Sequence, residues 1–223
     1  MSERRLVLVR HGVTDWNREG RWQGQLDPPL SDAGRQEARL VAARIAVEDG
    51  LRPARIVASS LARAHETAQV IGEPVGIAVE LEPRLMEIGA GEWEGRTHAE
   101  LEADDGERYR AWRSSPDSSP APGGEPVAVA TQRVRALLTE LSAAAAWPIL
   151  LVSHGGTLRI LARLLLDLGH DRALELDVDN ASISVAIRDG RAEWRLDRWN
   201  DVLHLLGRTD VHVDEAEGRP LAL

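Results

Sequence analysis

Cysteine, lysine and phenylalanine are absent from this 223-residue chain, and tyrosine occurs once. Without cysteine there can be no disulfide framework, no thiolate metal site and no cysteine nucleophile, so any chemistry falls to other groups. The 27 basic residues are therefore all arginine, a bias that a G+C-rich genome produces without selection on function. No basic block is present and the net charge is −9, which argues against nucleic-acid binding and against a basic membrane-surface patch. A small-molecule partner is the expectation. Long apolar runs are also missing. The longest are broken by Pro148 or by charges, well short of a membrane span, and no apolar signal segment opens the chain, so a cytoplasmic location is expected. The 43% of hydrophobic residues suffices for one sizeable core, and a single domain over residues 1–223 is expected, with a helical or loop insertion at about 90–125.

Two short stretches read almost alike. Leu6-Val7-Leu8-Val9-Arg10-His11-Gly12 and Ile149-Leu150-Leu151-Val152-Ser153-His154-Gly155 are apolar runs of strand length that each stop at histidine and glycine. Buried parallel strands deliver reactive side chains to the carboxyl edge of a sheet in this way. Between them, Arg55 to Ala58 reads as a second strand and Ile77 to Leu81 as a third. Ser31 and Ser60 read as helix N-caps ahead of the stripes Ala38, Val41, Ala42, Ile45 and Ala64, Thr67, Ala68, Ile71. Residues from about Thr97 to Trp112 read as a polar helix, and Ser114 to Glu125 as a Pro/Ser/Gly linker. Pro126 opens a helix carrying Val127, Val134, Leu138 and Leu141, and a further helix carries Leu158, Leu161, Ala162 and Leu165. Ser182 to Ile187 and Glu193 to Leu196, around Asp189-Gly190, read as an antiparallel hairpin at the sheet edge. The pattern predicts an α/β fold: a three-layer α/β/α sandwich with a mainly parallel sheet, an antiparallel edge strand and a small helical insertion.

Ligands bind beyond the carboxyl ends of such strands, so Arg10, His11 and His154 are expected to share one crevice, where Gly12 and Gly155 let backbone amides approach a ligand. Arg63 falls in the first turn of a helix, where a cation opposes the macrodipole by roughly 0.3–1 kcal/mol unless an anion is present. Two guanidiniums, a helix N-terminus and two imidazoles make a pocket for a phosphate or sulfate dianion. Glu87, in the loop after the third strand, is the best placed proton donor, although Glu92 and Glu94 share that loop. One histidine acting as nucleophile then makes a phosphohistidine intermediate plausible. Trp16, Trp22 and Trp93 flank these loops, where packing is the commoner role and stacking on a ligand the rarer one. His65, His98, His170, His204 and His212 read as structural or surface residues. The histidines lack the spacing and the third ligand of a zinc site, so no metal and no cofactor are expected.

These residues resemble the histidine phosphatase superfamily, the phosphoglycerate mutase-like fold. The likeness rests on Arg10-His11-Gly12 with Trp16-Asn17 and Arg21-Trp22-Gln23-Gly24, then Ser60-Leu61-Ala62-Arg63-Ala64 with Thr67-Ala68. Glu87 with Gly91-Glu92-Trp93-Glu94-Gly95, and Ser153-His154-Gly155-Gly156, follow in order over roughly residues 5 to 200. The resemblance implies a metal-independent phosphomonoester hydrolase in which His11 is phosphorylated. Arg10, Arg63 and His154 would hold the phosphoryl group, Asn17 would add a hydrogen bond, and Gln23 and Gly24 would line the substrate side. Glu87 would protonate the leaving alkoxide and then help activate water. Val13 and Pro126 depart from residues the family commonly carries. Cofactor-dependent mutases usually have an Arg-His-Tyr run after the acidic residue; Ile88-Gly89-Ala90-Gly91 stands here, which favours hydrolysis. A mutase-type phosphoryl transfer and a non-catalytic phosphate-ligand sensor are the alternatives. A weaker likeness to glucosyl-3-phosphoglycerate phosphatases lies in Gln23-Gly24-Gln25-Leu26-Asp27, Trp194-Arg195-Leu196-Asp197 and Trp199-Asn200. It is a hint toward a small sugar or glycerate phosphate. A homodimer is compatible with the sequence, which does not fix the oligomeric state.

Overall fold

The computed structural model describes residues 3–114, 119–168, 176–190 and 193–206. His170, His212, the tail after Arg208 and part of the expected linker lie outside them. Six strands form one sheet: β1 (Arg4–Arg10), β2 (Arg55–Ala58), β3 (Val79–Leu81), β4 (Ile149–Ser153), β5 (Ile183–Arg188) and β6 (Arg195–Asp201), in the order β3-β2-β4-β1-β5-β6. The first four run parallel, β5 pairs antiparallel with β1, and β6 antiparallel with β5. The main helices are α1 (Asp15–Arg18), α2 (Asp32–Val47), α3 (Ala62–Val75), α4 (His98–Ser114), α5 (Val127–Ser142) and α6 (Gly155–Leu166).

Strand alternation divides the core in two. Val7, Val9, Ile56, Leu150 and Val152 pack with Val41 and Ile45 of α2 and Ala64, Ala68 and Ile71 of α3. Leu6, Leu8, Val57, Ile149 and Leu151 pack with Val134 and Leu141 of α5 and Leu158, Leu161 and Leu165 of α6. The three-layer sandwich follows from the sequence pattern as expected. A third, smaller cluster joins Trp22, Trp93, Leu101, Tyr109 and Trp112 in edge-on ring contacts. Trp22 and Trp93 thus take the packing role.

Several boundaries moved for physical reasons. β3 is shorter than Ile77 to Leu81, because Ile77 N–H bonds the carbonyl of Gly72 at the end of α3 instead of a strand. The N-cap position of α3 is Leu61, not Ser60. The Asp27 carboxylate, from a distant loop, accepts the N–H of Ala62 at 2.7 Å and does the capping. Ser31 caps α2 as expected, its Oγ accepting from Gly34 N–H at 3.1 Å. β6 begins at Arg195 and runs on to Asp201. No residue in it is fully buried, so its alternation was weak in the sequence. On this side of the sheet the edge strand is β6, since β5 lies between it and β1; β3 is the opposite edge. α4 bends at Asp105, whose carboxylate reaches away to accept the Trp93 indole N–H at 2.8 Å.

Among the described residues, no helix is long and apolar enough to cross a membrane.

Candidate active site

The register of the central pair places the two histidines. β1 and β4 pair in parallel with Arg10 opposite Ser153, so the next residue of each strand, His11 and His154, leaves the sheet at the same edge. Their ring centroids are 5.1 Å apart, and both side chains are buried. β2 stands beside β4 and ends at the same level, bringing Ser59, and through the start of α3 also Arg63, to that edge.

His11 Nδ1 lies 2.8 Å from the carbonyl oxygen of Gly12. A carbonyl only accepts, so Nδ1 carries the proton and Nε2 keeps a lone pair. Burial, then the Arg63 and Arg10 guanidiniums, hold the His11 pKa well below 6.5, which keeps that lone pair free at neutral pH. His154 is depressed in the same way by burial, Arg63, His11, Arg10 and Arg133. Its Nε2 is 2.8 Å from Ser59 Oγ, which itself accepts from Leu61 N–H at 3.3 Å. Ser59 can thus give its own proton to Nε2, leaving Nδ1 as the N–H of the ring, and Nδ1 is buried with no hydrogen-bond partner.

Arg63 is fully buried. Its two terminal nitrogens donate to the carbonyls of Leu26 at 2.9 Å and Gly24 at 2.8 Å, and burial pushes its pKa down to about 10. Asp27, 3.8 Å away, supplies part of the negative charge that a cation at this helix start calls for. Arg10 Nη1 donates to Val178 O at 2.5 Å. Gly24 sits at φ +49°, and a Cβ there would lie 2.1 Å from the Glu94 carboxylate. Gly12 has a different reason to be glycine from the expected approach to a ligand. Its Cβ would lie 2.4 Å from the backbone oxygen of Gly34 in α2, and its N–H is already given to Thr67 Oγ1 at 3.1 Å.

The Glu87 carboxylate lies over the N-terminus of α6, where unpaired N–H groups favour an anion. Oε1 accepts from Ile88 N–H at 2.9 Å and Thr157 N–H at 3.1 Å; Oε2 accepts from Gly156 N–H at 3.0 Å. Gly155, the first residue of that helix, is buried beside them. The competing carboxylates do other things. Glu94 Oε1 ties Gln25 N–H to Ala90 N–H, each at 2.9 Å, and Glu92 is exposed. Asn17 Oδ1 accepts from Thr14 N–H and Thr14 Oγ, both at 3.0 Å, which turns its Nδ2 away from the loop. Gln23 is buried, its side-chain amide 3.1 Å from Thr14 Oγ. Trp16 is half-buried, next to Gly95. His204 Nε2 meets the carbonyl of Ala181, while His98 accepts the Trp22 indole N–H at 3.1 Å and meets the Tyr109 hydroxyl. Among the described residues, no three His, Asp or Glu side chains are arranged to hold a metal ion.

Sequence reasoning missed Ser59, Asn180, Arg133 and Glu37, and gave Thr67 only a place in a helix stripe and a motif block. Arg133 donates to Glu87 O at 3.2 Å, and buried Glu37 accepts Val13 N–H at 2.8 Å. A readable signal existed only for Glu37, a charge on the apolar face of α2.

The depressed histidines carry a prediction. A histidine whose folded pKa lies below its unfolded value, ~6.5, binds fewer protons when folded, so stability is lost as pH falls from there toward the folded pKa. His11, His154 and His204 are all lowered, and His98 is pushed to about 4, each chiefly by burial. The melting temperature is expected to fall steadily between about pH 7 and pH 5, above the range where carboxylates titrate. A flat profile over that interval, by calorimetry, would contradict the neutral-imidazole assignment.

A model of the histidine phosphatase superfamily (branch 1) matches residues 6–202. A glucosyl-3-phosphoglycerate phosphatase of Mycobacterium tuberculosis is 39% identical over 218 residues, covering 90% of this chain and 96% of that protein. Phosphoserine phosphatase 1 of Hydrogenobacter thermophilus is 34% identical over 183 residues, covering 81% and 85%. Among solved structures, a mycobacterial glucosyl-3-phosphoglycerate phosphatase complexed with VO3 superposes with a TM-score of 0.78 at 38% identity, covering 88% of this chain and 99% of that one. A putative alpha-ribazole-5'-P phosphatase of Escherichia coli gives 0.79 at 29% identity, covering 88% and 96%.

Proposed function

This chain belongs to the histidine phosphatase superfamily and hydrolyses phosphomonoesters, and we propose that it does so through a phosphohistidine at Nε2 of His11, on a small sugar or glycerate phosphate. The observation that carries this reading is the state of His11: Nδ1 is committed to Gly12 O, so the nitrogen left to attack phosphorus is Nε2.

In the first step Nε2 forms a bond to phosphorus as the ester P–O bond breaks. Arg10 and Arg63 neutralise the non-bridging oxygens, and the Nδ1–H of His154 and Asn17 Nδ2 add hydrogen-bond donors. Glu87 passes a proton to the leaving alkoxide. Its Oε2 is suited to this, since it accepts one backbone N–H where Oε1 accepts two. In the second step water attacks the phosphohistidine, Oε2 takes a water proton, and the P–N electron pair returns to Nε2. The cationic work is done by guanidiniums, so no metal is called for. Gly24 and Gln23 shape the substrate side through the loop that Arg63 anchors, and Gly155 starts the helix that Glu87 covers. The 3-10 turn at Trp93 and helix α4, packed with Trp22 in the aromatic cluster, are the part best placed to select the organic half of the substrate.

Phosphate release from a panel holding glucosyl-3-phosphoglycerate, phosphoserine, a sugar phosphate and an aryl phosphate, with and without EDTA, tests this. Undiminished release in EDTA, highest on a sugar or glycerate phosphate, is the expected result. Loss of turnover in EDTA, or an isomerised phosphoglycerate with no free phosphate, would overturn it.

A further inference from the structure

The strand end that carries His11 is gripped by the segment leading into β5. Arg10 donates to Val178 O at 2.5 Å, and Ala181 N–H is shared between the carbonyls of Arg10 at 3.1 Å and His11 at 3.2 Å. To make that reach, fully buried Ala181 adopts φ +56°, a left-handed conformation in which a Cβ is unfavourable. The Asn180 carboxamide beside it spends both N–H groups at the site. Nδ2 donates to His11 O at 3.0 Å and to Asn17 Oδ1 at 3.4 Å. Neither amide can be turned over without loss. His11 O is a carbonyl and must face Nδ2 of Asn180; Thr14 N–H is a donor and must face Oδ1 of Asn17.

β6 holds this segment in place, which gives Trp199-Asn200 a role other than touching substrate. Trp199 Nε1 donates to Asp177 O at 2.6 Å. Asn200 pairs reciprocally with Asp179, accepting its N–H at 2.7 Å and donating to Oδ2 at 2.7 Å. His204 Nε2 meets Ala181 O at 2.9 Å from the far side.

We propose that Asn180 is a positioning residue for phosphoryl transfer, acting through Asn17: its N–H locks the Asn17 amide with Oδ1 toward the loop, so that Nδ2 is presented to the phosphoryl oxygen. The inference rests on the reading of Asn17 as a phosphoryl ligand. Asn180 needs no contact with substrate. Without it, Asn17 keeps only the two contacts from Thr14 and gains freedom to swing, which weakens a donor that must be in place as charge develops.

The test is a double-mutant cycle on aryl phosphate hydrolysis, with Asn180→Ala, Asn17→Ala and both together. Asn180→Ala is expected to lower kcat/KM about tenfold alone and by no more than about twofold in the Asn17→Ala background. Ala181 N–H still holds the His11 carbonyl in every variant, so a purely structural role would cost the same in both backgrounds. Equal losses in the two backgrounds, or a loss under about twofold alone, would overturn the proposal. A silent Asn17→Ala would instead remove the reading of Asn17 as a phosphoryl ligand, and the proposal with it. Melting curves report which variants are folded.

Discussion

Replacing His11 with alanine is expected to lower kcat for phosphomonoester hydrolysis by about four orders of magnitude or more, leaving the melting temperature within a few degrees of native. The size follows from the chemistry. Without Nε2 no P–N bond forms, and the remaining arginines and His154 can only bind the dianion and stabilise direct attack by water. The small effect on folding follows from the site. The His11 side chain makes its hydrogen bond to the next residue, Gly12, while the backbone around it stays tied by Ser153 O, Thr67 Oγ1 and Ala181 N–H. Rapid acid-free quenching after mixing with labelled substrate is expected to show phosphate on the native protein, stable to alkali, and none on the variant. Residual activity within a factor of about ten of native would end the phosphohistidine reading.

Arg63→Lys is expected to cost roughly 100- to 1,000-fold in kcat/KM although the formal charge is kept. Arg63 uses its planar fork for two purposes at once. The terminal nitrogens hold Leu26 O and Gly24 O, fixing the loop that contains Gln23 and Gly24, and the remaining N–H groups stay available, with Nε buried and unbonded. A lysine ammonium is one point with three donors and cannot span two carbonyls and a phosphoryl oxygen together. Burial already pushes the arginine pKa down to about 10, and a lysine starts lower. Orthovanadate and phosphate affinity are expected to fall with kcat/KM. A variant within about threefold of native on all three measures would show that charge alone suffices.

The candidate site was legible where it depended on strand ends. Arg10, His11 and His154 close apolar runs, and Arg63 opens a helix, so their positions follow from local pattern. Glu87 was chosen among three acidic residues of one loop. Its place over the start of α6 separates it from Glu94, which staples two loops, and from exposed Glu92. Ser60 was expected to cap α3, and Asp27 does so from a loop 35 residues earlier, while Thr67 Oγ1 takes the Gly12 N–H. These differences share a cause: a polar side chain bonds whatever group the fold brings within 3 Å or so, and the sequence does not order such partners.

Periodicity, strand-terminal histidines and the absence of cysteine, being local properties of the chain, established the layered α/β architecture and the kind of chemistry before any coordinates. Only the three-dimensional structure decided which ring nitrogen of His11 is free, that Ser59 directs His154, and that Asn180, from 169 residues away, holds the His11 carbonyl together with Ala181. Hydrophobic burial is written in spacing along the chain, whereas hydrogen bonds across the sheet depend on a register and on backbone turns that form only when the layers have packed.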